Sequence, residues 1–369
     1  MSTPFRRLIC QVLLLLAMTA PLAAQRAAAA HVVLVTLDGV RPAEFFSGMD
    51  SSPSADSTSG AARTWRGYSA ITGARPPRPG AGPSCRFCGI RWPRGGVVFG
   101  DRDLGSRASI TNVHGFSAPG DLEILTGRAQ PDVTSNDPQR YPHATLLDVI
   151  RDRLARSPRD VATFASWQNF RYYVSSREGA VFVNAGFDTL PTAMVTPSLA
   201  PLQRLERRAL PPRDESRLDA FTGAMGLAYL RQYSPIALYF AMNDTDDQAH
   251  GRRYDRVLDA LHGLDGFLLE QWQTVQSLPG YRGRTTLLIT TDHGRGLGPR
   301  DWSDHGEDTR GSDQIWILVV GLGVPARGIV TGGPEVHQAQ VAATLLACLG
   351  LGTDRLAEAE APLPGVCGN

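Results

Sequence analysis

The chain has 369 residues, of which 42% are hydrophobic and 20% are charged, and this composition excludes a disordered chain. Five cysteines are too few for a fold built on disulfides, and a net charge of +1 provides no basic field for nucleic-acid binding. All 37 cationic residues are arginines. The absence of lysine excludes a P-loop lysine, a Schiff-base lysine and a lysine general base.

The N-terminus has the pattern of a secretory signal peptide. Arg6 and Arg7 precede the mainly apolar run 8–18, and alanine-rich sequence follows. The run is shorter than the roughly 20 residues that a transmembrane helix needs. We therefore predict a signal peptide over residues 1–24, a periplasmic or secreted mature chain, and no membrane span in it; an uncleaved anchor is the alternative.

Four cysteines remain in the predicted mature chain, and an oxidising compartment would allow two disulfides. We predict a Cys348–Cys367 bond, which would hold the C-terminal tail. Cys85 and Cys88 lie two residues apart in Pro- and Gly-rich sequence. A local disulfide is the favoured interpretation there, with a zinc half-site or a redox pair as alternatives.

The first predicted element is a buried strand over 32–37, which is mostly apolar without polar alternation. Residues 47–105 are rich in Ser, Gly, Pro and Arg, and predict an insertion or lid-like loop with one strand at 96–99. The elements predicted next are helices at 119–126 and 144–155 and strands at 161–165 and 180–184.

A proline-rich connection is predicted over 191–212. The elements predicted after it are helices at 215–233, 254–275 and 336–349 and strands at 236–242, 285–290 and 315–320. Helices alternate with continuously apolar strands, which predicts an α/β fold with a mainly parallel sheet covered on both faces. We predict one catalytic domain over residues 25–369.

Acidic residues follow three of the predicted strands: Asp38, Asp244 with Asp246, and Asp292. Each alone is equally well explained as a turn former or a helix cap. Because chemistry in open α/β sheets collects beyond the carboxyl ends of the strands, the three together favour a functional site. Asp246 and His250 are four residues apart, which places both on one face of a helical turn.

The sequence Asp-His-Gly occurs twice, with His293 and His305 at its centre. Carboxylate and imidazole ligands without cysteine suit Zn²⁺, with Mn²⁺ as the second choice. Two such ions roughly 3.5–4 Å apart would hold both oxygens of an in-line displacement.

Ser117 lies where a loop is predicted to turn into a helix. It is either an N-cap or a nucleophile at a helix N-terminus, where free amides and the helix dipole favour a phosphoryl group. A metal ion on Ser117 would supply the alkoxide that serine does not otherwise reach at neutral pH. His114 is a weaker candidate base.

These residues form an ordered pattern: Leu37-Asp38-Gly39, Phe116-Ser117-Ala118-Pro119-Gly120, Asp246 with His250, Asp292-His293-Gly294, and His305. The pattern resembles the alkaline phosphatase superfamily, and most closely its type I phosphodiesterase and nucleotide pyrophosphatase branch and related bacterial secreted metalloenzymes. The resemblance covers most of the chain, from about His31 to Leu351. It implies an alkaline-phosphatase-like three-layer sandwich with a mainly parallel central sheet.

The resemblance also implies two divalent metal ions. The implied ligands are Asp246, His250 and His305 for one ion, and Asp38, Asp292 and His293 for the other, with Ser117 as the nucleophile that touches the second ion. Asn136 falls where the family has an asparagine that holds a phosphoryl oxygen.

The motif around Ser117 departs from the branch that it most resembles. The phosphodiesterases have Thr followed by Phe-Pro-Asn-His, whereas Ser117 is followed by Ala-Pro-Gly-Asp. Pro119 and the later Leu-Thr-Gly, which ends at Gly127, still match. Sulfatase maturation needs Ser-Arg after the proline, and Gly120 and Asp121 stand there instead.

The resemblance implies a metal-dependent hydrolase of phosphoric esters, a phosphodiesterase or phosphomonoesterase, that forms a phosphoserine on Ser117. The substrate would be a small-molecule, lipid or nucleotide phosphate ester, and no nucleic-acid groove is indicated. Two alternatives stay open. One is a phosphotransferase or mutase of the same superfamily, and the other is a metal-binding envelope protein without turnover.

Overall fold

The computed structural model of the chain describes residues 29–48, 50, 96–197, 199–211 and 213–368. The predicted signal peptide, the Cys85–Cys88 pair and most of the predicted 47–105 insertion lie outside the described residues.

A central eight-stranded sheet organises the described part of the chain. Its strands are β1 (His31–Leu37), β2 (Gly96–Phe99), β4 (Val161–Ala165), β5 (Phe182–Ala185), β6 (Ala237–Met242), β7 (Thr285–Thr290), β8 (Ile317–Gly321) and β9 (Gly328–Ile329). They are arranged in the order β5-β4-β6-β1-β7-β8-β2-β9. The first five in this order are parallel, and β8 pairs antiparallel with both of its neighbours. The predicted mainly parallel sheet is confirmed.

A short parallel pair, β3 (Ala108–Ser109) with β10 (Val336–His337), lies apart from this sheet. The α-helices are α1 (Pro42–Ser47), α2 (Ser117–Thr126), α3 (Leu146–Arg153), α4 (Phe170–Tyr173), α5 (Leu199–Glu206), α6 (Asp219–Tyr233), α7 (Asp244–His250), α8 (Tyr254–Ser277) and α9 (Gln340–Cys348).

Helices cover both faces of the sheet because successive side chains of each strand point to opposite sides. In β1, Val32 and Leu34 belong to a hydrophobic core shared with α2, α3 and α9. Val33 and Val35 belong to a second core, shared with α6 and α8. The result is the three-layer α/β sandwich that the sequence predicts.

Helix α5 lies within the predicted proline-rich connection over 191–212, for which no helix was predicted. The prolines of this stretch suggest an irregular segment, but Pro201 is the third residue of the helix, where a missing N–H breaks no intrahelical bond. Leu199, Gln203 and Glu206 form the buried face of the helix.

Two predicted helices begin four residues later than expected. The helix predicted from residue 215 begins at Asp219, because Glu215 and Arg217 form backbone hydrogen bonds with the segment after β4. The helix predicted from Val336 begins at Gln340, because Val336 pairs with β3. In both cases a non-local pairing overrides the local pattern.

The predicted Cys348–Cys367 disulfide is formed. Among the described residues, no helix has the length and hydropathy needed to cross a membrane.

Candidate active site

Three neighbouring strands deliver the predicted metal ligands to one edge of the sheet. Strand β1 lies between β6 and β7 and is parallel to both, so the three strands end side by side. Asp38 follows β1, helix α7 follows β6, and Asp292 follows β7. Asp244 is not brought into the ligand clusters; its carboxylate accepts a hydrogen bond from the backbone N–H of Asp219, at the start of α6.

Asp38, Asp292 and His293 form a fully buried cluster whose ligand atoms all lie within 4.8 Å of one another. His293 Nε2 is 3.2 Å from Asp38 Oδ1 and 3.5 Å from Asp292 Oδ2. His293 Nδ1 lies 2.8 Å from the carbonyl oxygen of Gly294, an acceptor, so Nδ1 carries a proton and Nε2 is left for another partner. The backbone N–H of Gly39 donates to Asp292 Oδ1, which leaves Oδ2 on the cluster side.

Asp246, His250 and His305 form the second cluster, with ligand atoms again within 4.8 Å of one another. The four-residue spacing on α7 brings His250 Nε2 to 3.1 Å from Asp246 Oδ2. His305 comes from the long loop between β7 and β8, and its Nε2 is 3.1 Å from His250 Nε2. His305 Nδ1 faces the carbonyl of Gly115 at 3.3 Å, which orients Nε2 toward the cluster.

Both clusters fit divalent cations. Three polar atoms of the first cluster are buried without a hydrogen-bond partner: Asp38 Oδ1, Asp292 Oδ2 and His293 Nε2. Buried polar groups are normally paired, so converging unpaired oxygens and an imidazole nitrogen indicate a ligand. The donor set of carboxylates and imidazoles suits Zn²⁺ or Mn²⁺.

The pKa shifts show excess negative charge in the first cluster. Burial and the neighbouring Asp38 raise the pKa of Asp292 to about 7. Burial acts to lower the pKa of His293, but Asp292 and Asp38 overcome it and raise the pKa to about 9. In the second cluster, burial and cationic neighbours lower the pKa of His305, which favours the neutral imidazole that binds metals.

Ser117 is the first residue of α2, with Phe116 at the N-cap position. The interpretation of Ser117 as an N-cap is therefore wrong by one residue. Its predicted position, where a loop turns into a helix, is confirmed. Ser117 Oγ donates to Asp38 Oδ2 at 3.4 Å, so the hydroxyl reaches the edge of the first cluster. Helix α2 comes this close because Gly120 has no side chain: a Cβ there would lie 2.3 Å from the carbonyl oxygen of Asp292.

Asn136 lies beside Ser117 in the wall of the same cavity. Its Oδ1 accepts a hydrogen bond of 2.9 Å from the backbone N–H of Ala118. Because the side-chain oxygen is engaged in this way, the amide NH₂ group remains available as a donor. Asn169 donates to the backbone carbonyl of Asn136 and steadies the loop.

The cavity has a volume of about 830 Å³, and Asp38, Ser117, Asp246, His250 and His305 all line it. The described lining residues do not include His114, which weakens its role as a base. Sequence reasoning did not find the rest of the wall, which includes Trp167, Gln168, Arg213, Glu215 and Asp247. No short motif marks these residues as a set, because Trp167 and Gln168 follow β4, Arg213 and Glu215 precede α6, and Asp247 lies in α7.

Sequence reasoning also missed Arg295, a buried residue behind the second cluster. Its Nη2 contacts Asp246 Oδ1, while Nε donates to the carbonyl of Gly39 and Nη1 to the carbonyl of Ser303. Burial lowers the pKa of Arg295 to about 10. The one available signal was its place directly after Asp292-His293-Gly294.

Comparison with solved structures identifies the fold as that of the alkaline phosphatase superfamily. The phosphonate monoester hydrolase SpPMH from Silicibacter pomeroyi matches with a TM-score of 0.54 and 12% identity, over 92% of this chain and 77% of that chain. A mutant of the alkaline phosphatase PafA matches with a TM-score of 0.52 and 12% identity, over 93% and 99% of the two chains. The lipoteichoic acid synthase LtaP from Listeria monocytogenes matches with a TM-score of 0.51 and 11% identity, over 91% and 77%.

No protein-family model and no curated protein matches the sequence. At these identities the likeness establishes the fold alone, and the activity has to be argued from the site.

Proposed function

We propose that the chain is an exported phosphoric ester hydrolase that uses two divalent metal ions and Ser117 as its nucleophile. One observation carries the proposal: two Asp/His clusters contribute to one cavity, and Ser117 Oγ reaches the edge of the cluster that has unpaired buried ligand atoms. The Cys348–Cys367 disulfide supports export, because such bonds persist in oxidising compartments.

The residues divide into three roles. Asp38, Asp292 and His293 would hold one ion and Asp246, His250 and His305 the other. Bound there, divalent ions supply Lewis-acid stabilisation of negative charge on the phosphoryl oxygens and lower the pKa of a bound hydroxyl.

Ser117 is suited to in-line attack. Its hydroxyl lies at the N-terminal end of α2, where the helix dipole favours the negative charge of a phosphoryl group. Attack forms a bond from Ser117 Oγ to phosphorus and breaks the bond from phosphorus to the ester oxygen, which leaves as the alcohol. Water then cleaves the phosphoserine and restores the hydroxyl. Asn136 would donate its amide N–H to a phosphoryl oxygen during both steps.

Within the superfamily we propose the type I phosphodiesterase and nucleotide pyrophosphatase branch and its bacterial secreted relatives. The order of the ligand motifs along the chain supports this choice. The Ala-Pro-Gly-Asp that follows Ser117 argues against a sulfatase of the formylglycine type.

The test combines metal content with two model esters. We expect about two Zn²⁺ or Mn²⁺ ions per wild-type chain, and hydrolysis of bis-p-nitrophenyl phosphate or p-nitrophenyl phosphate. Ser117→Ala should keep the metal and lose at least about 10³-fold in kcat. Ser277→Ala, at the far end of α8, is the matched control and should behave as wild type. Asp292→Asn should lose metal.

Each other outcome has a defined meaning. Two ions with no activity on either ester would favour a transferase, tested by product analysis with an alcohol acceptor, or a binding role. No metal after reconstitution would contradict the proposal, and the acidic residues would then be turn formers and caps.

A further inference from the structure

Helix α5 and the loop after it present an unusual surface. Leu210 is 93% exposed and Leu205 is 56% exposed, whereas most leucines of the described chain are buried. Three exposed arginines lie among them. We call this set the arginine–leucine surface, and its members are Arg204, Leu205, Arg207, Arg208 and Leu210.

The opposite face of this segment is anchored. Leu199 and Gln203 are buried, and Glu206 forms an ion pair of 3.5 Å with the buried Arg217. The orientation of α5 is therefore set by packing against the body of the protein. It follows that exposed Leu205, which lies on this helix, is a fixed feature of the surface.

The charge of the arginine–leucine surface is only partly compensated by the described residues: Arg207 interacts electrostatically with Glu206, but the ion pair of that carboxylate is with Arg217. Neighbouring Arg213 and Arg217 have carboxylate partners in Asp247 and Glu206, but none of the three arginines of the surface forms a salt bridge with a described carboxylate. Unpaired guanidinium groups bind phosphate oxygens well, because their planar fork can donate two hydrogen bonds. A ligand for this surface is thus anionic and has an apolar part within reach.

An anionic lipid bilayer has this combination. Arginines beside protruding leucines are typical of interfacial segments, in which leucine enters the acyl boundary and arginine remains at the phosphates. Protein interfaces instead favour aromatic residues and methionine over leucine, and the surface contains neither. Each arginine near an anionic membrane strengthens binding about fivefold, which corresponds to roughly 1 kcal/mol.

We infer that the arginine–leucine surface docks the protein on an anionic phospholipid bilayer. The same segment leads to Arg213, which lines the candidate active-site cavity, so docking would bring that cavity to the lipid headgroups. Resting on the proposed function, the substrate class is a phosphate ester carried in the bilayer, such as a phospholipid headgroup.

Vesicle sedimentation tests the docking without any turnover. The wild-type chain should sediment with phosphatidylcholine vesicles that contain phosphatidylglycerol and remain in the supernatant with phosphatidylcholine alone. The variant Arg204→Glu/Arg207→Glu/Arg208→Glu should partition on the order of 100-fold more weakly. A control with the same change in net charge, Arg256→Glu/Arg282→Glu/Arg355→Glu, reverses exposed arginines elsewhere and should bind like wild type.

The leucines are tested separately. Leu205→Asn/Leu210→Asn should weaken partitioning at least about 10-fold, and the loss should persist at high salt because it concerns apolar burial. Leu269→Asn is the matched control, since Leu269 is 40% exposed on α8. Thermal melting of all variants checks that the fold is retained.

The results separate docking from catalysis. All surface variants should hydrolyse the soluble esters like wild type, and only hydrolysis of vesicle phosphatidylglycerol should fall with binding. A chain inactive on every ester would count against the proposed function while the sedimentation still tests the surface. The docking would be overturned if both triple arginine variants lost binding equally, or if the wild-type chain did not sediment with vesicles. In the second case an acidic protein would be the partner that the same charges suit.

Discussion

Arg295 places a buried positive charge directly behind a candidate metal ligand. Its guanidinium contacts Asp246 Oδ1 and is itself held by the carbonyls of Gly39 and Ser303. Asp246 Oδ2, on the other side of the carboxylate, faces His250 at 3.1 Å. We interpret Arg295 as a positioning residue that fixes one oxygen of Asp246 so that the other is presented to a metal ion.

Arg295→Lys keeps the charge but removes the planar fork, so it isolates positioning from electrostatics. We expect the metal affinity of the Asp246, His250 and His305 cluster to fall roughly 10- to 100-fold. A chelator competition titration measures this directly. Arg217→Lys, at a buried arginine that contacts Asn184 and Glu206, should lower stability without changing metal affinity. Equal affinity in wild type and Arg295→Lys would show that Asp246 is oriented by its own helix.

At the scale of single residues, the sequence predicts the candidate metal ligands but not the residues that surround and orient them. Asp38, Asp246 and Asp292 could be predicted because each follows a strand, and strand ends converge in a parallel sheet. Asp247 could not be predicted as part of the site, although it is buried and its carboxylate oxygens have no hydrogen-bond partner. Its surroundings, including Arg213 at 3.7 Å, come from a loop that no local pattern connects with α7.

Helix α2 depends on a close approach that only glycine permits. A Cβ on Gly120 would lie 2.3 Å from the Asp292 carbonyl oxygen, and 3.3 Å from the Asp292 Cβ. Backbone atoms cannot move aside as a flexible side chain can, so a larger residue would displace the helix that carries Ser117.

Gly120→Ala should therefore lower kcat by about 10²-fold, the effect expected when a reacting group is misplaced by roughly 1 Å. It should also destabilise the fold by about 1–3 kcal/mol, against the usual stabilisation of about 1 kcal/mol for Gly→Ala in a helix. Gly266→Ala in α8 is the control, because nothing lies within 4 Å of its added Cβ. Urea denaturation and steady-state kinetics give both quantities; a Gly120→Ala variant as stable and active as wild type would refute the close packing.

Elements with strong local patterns were predicted closely, and those defined by distant partners were not. Strand β7 has its predicted bounds because its threonines, leucines and isoleucine form a run that suits a fully buried strand. Strand β10 exists only through its pairing with β3, more than two hundred residues earlier in the chain. Helix α5 lies in proline-rich sequence, and two of its three buried residues, Gln203 and Glu206, are polar, so no apolar pattern predicts it.

The order of strands in the whole sheet could not be predicted from the sequence. Alternating helices and strands predict a parallel sheet, but they do not state that β1 lies between β6 and β7. That order brings Asp38 between Asp246 and Asp292, and so determines that two ligand clusters share one cavity. The division of the candidate ligands into two groups was implied by the resemblance to the superfamily, because local sequence patterns do not show which ligands lie together.

The C-terminal tail is joined to the body of the protein by one covalent bond and by side chains buried in the core that α2, α3 and α9 share. The Cys348–Cys367 disulfide links α9 to a tail that buries Leu363 and Val366. For a separation of 19 residues, closure of the loop in the unfolded state contributes about 3 kcal/mol to stability.

Cys348→Ser/Cys367→Ser should accordingly lower the free energy of unfolding by about 3 kcal/mol in urea denaturation without reductant. The ester hydrolysis rate of the folded variant should equal that of wild type, because neither cysteine lines the cavity. Reductant should lower the stability of wild type by the same amount and leave the double variant unchanged. A further loss in the reduced variant would instead assign part of the effect to Cys85 and Cys88. An unchanged double variant would mean that non-covalent contacts hold the tail, namely the packing of Leu363 and Val366 and the hydrogen bonds donated by the backbone N–H groups of Glu360, Leu363 and residue 367.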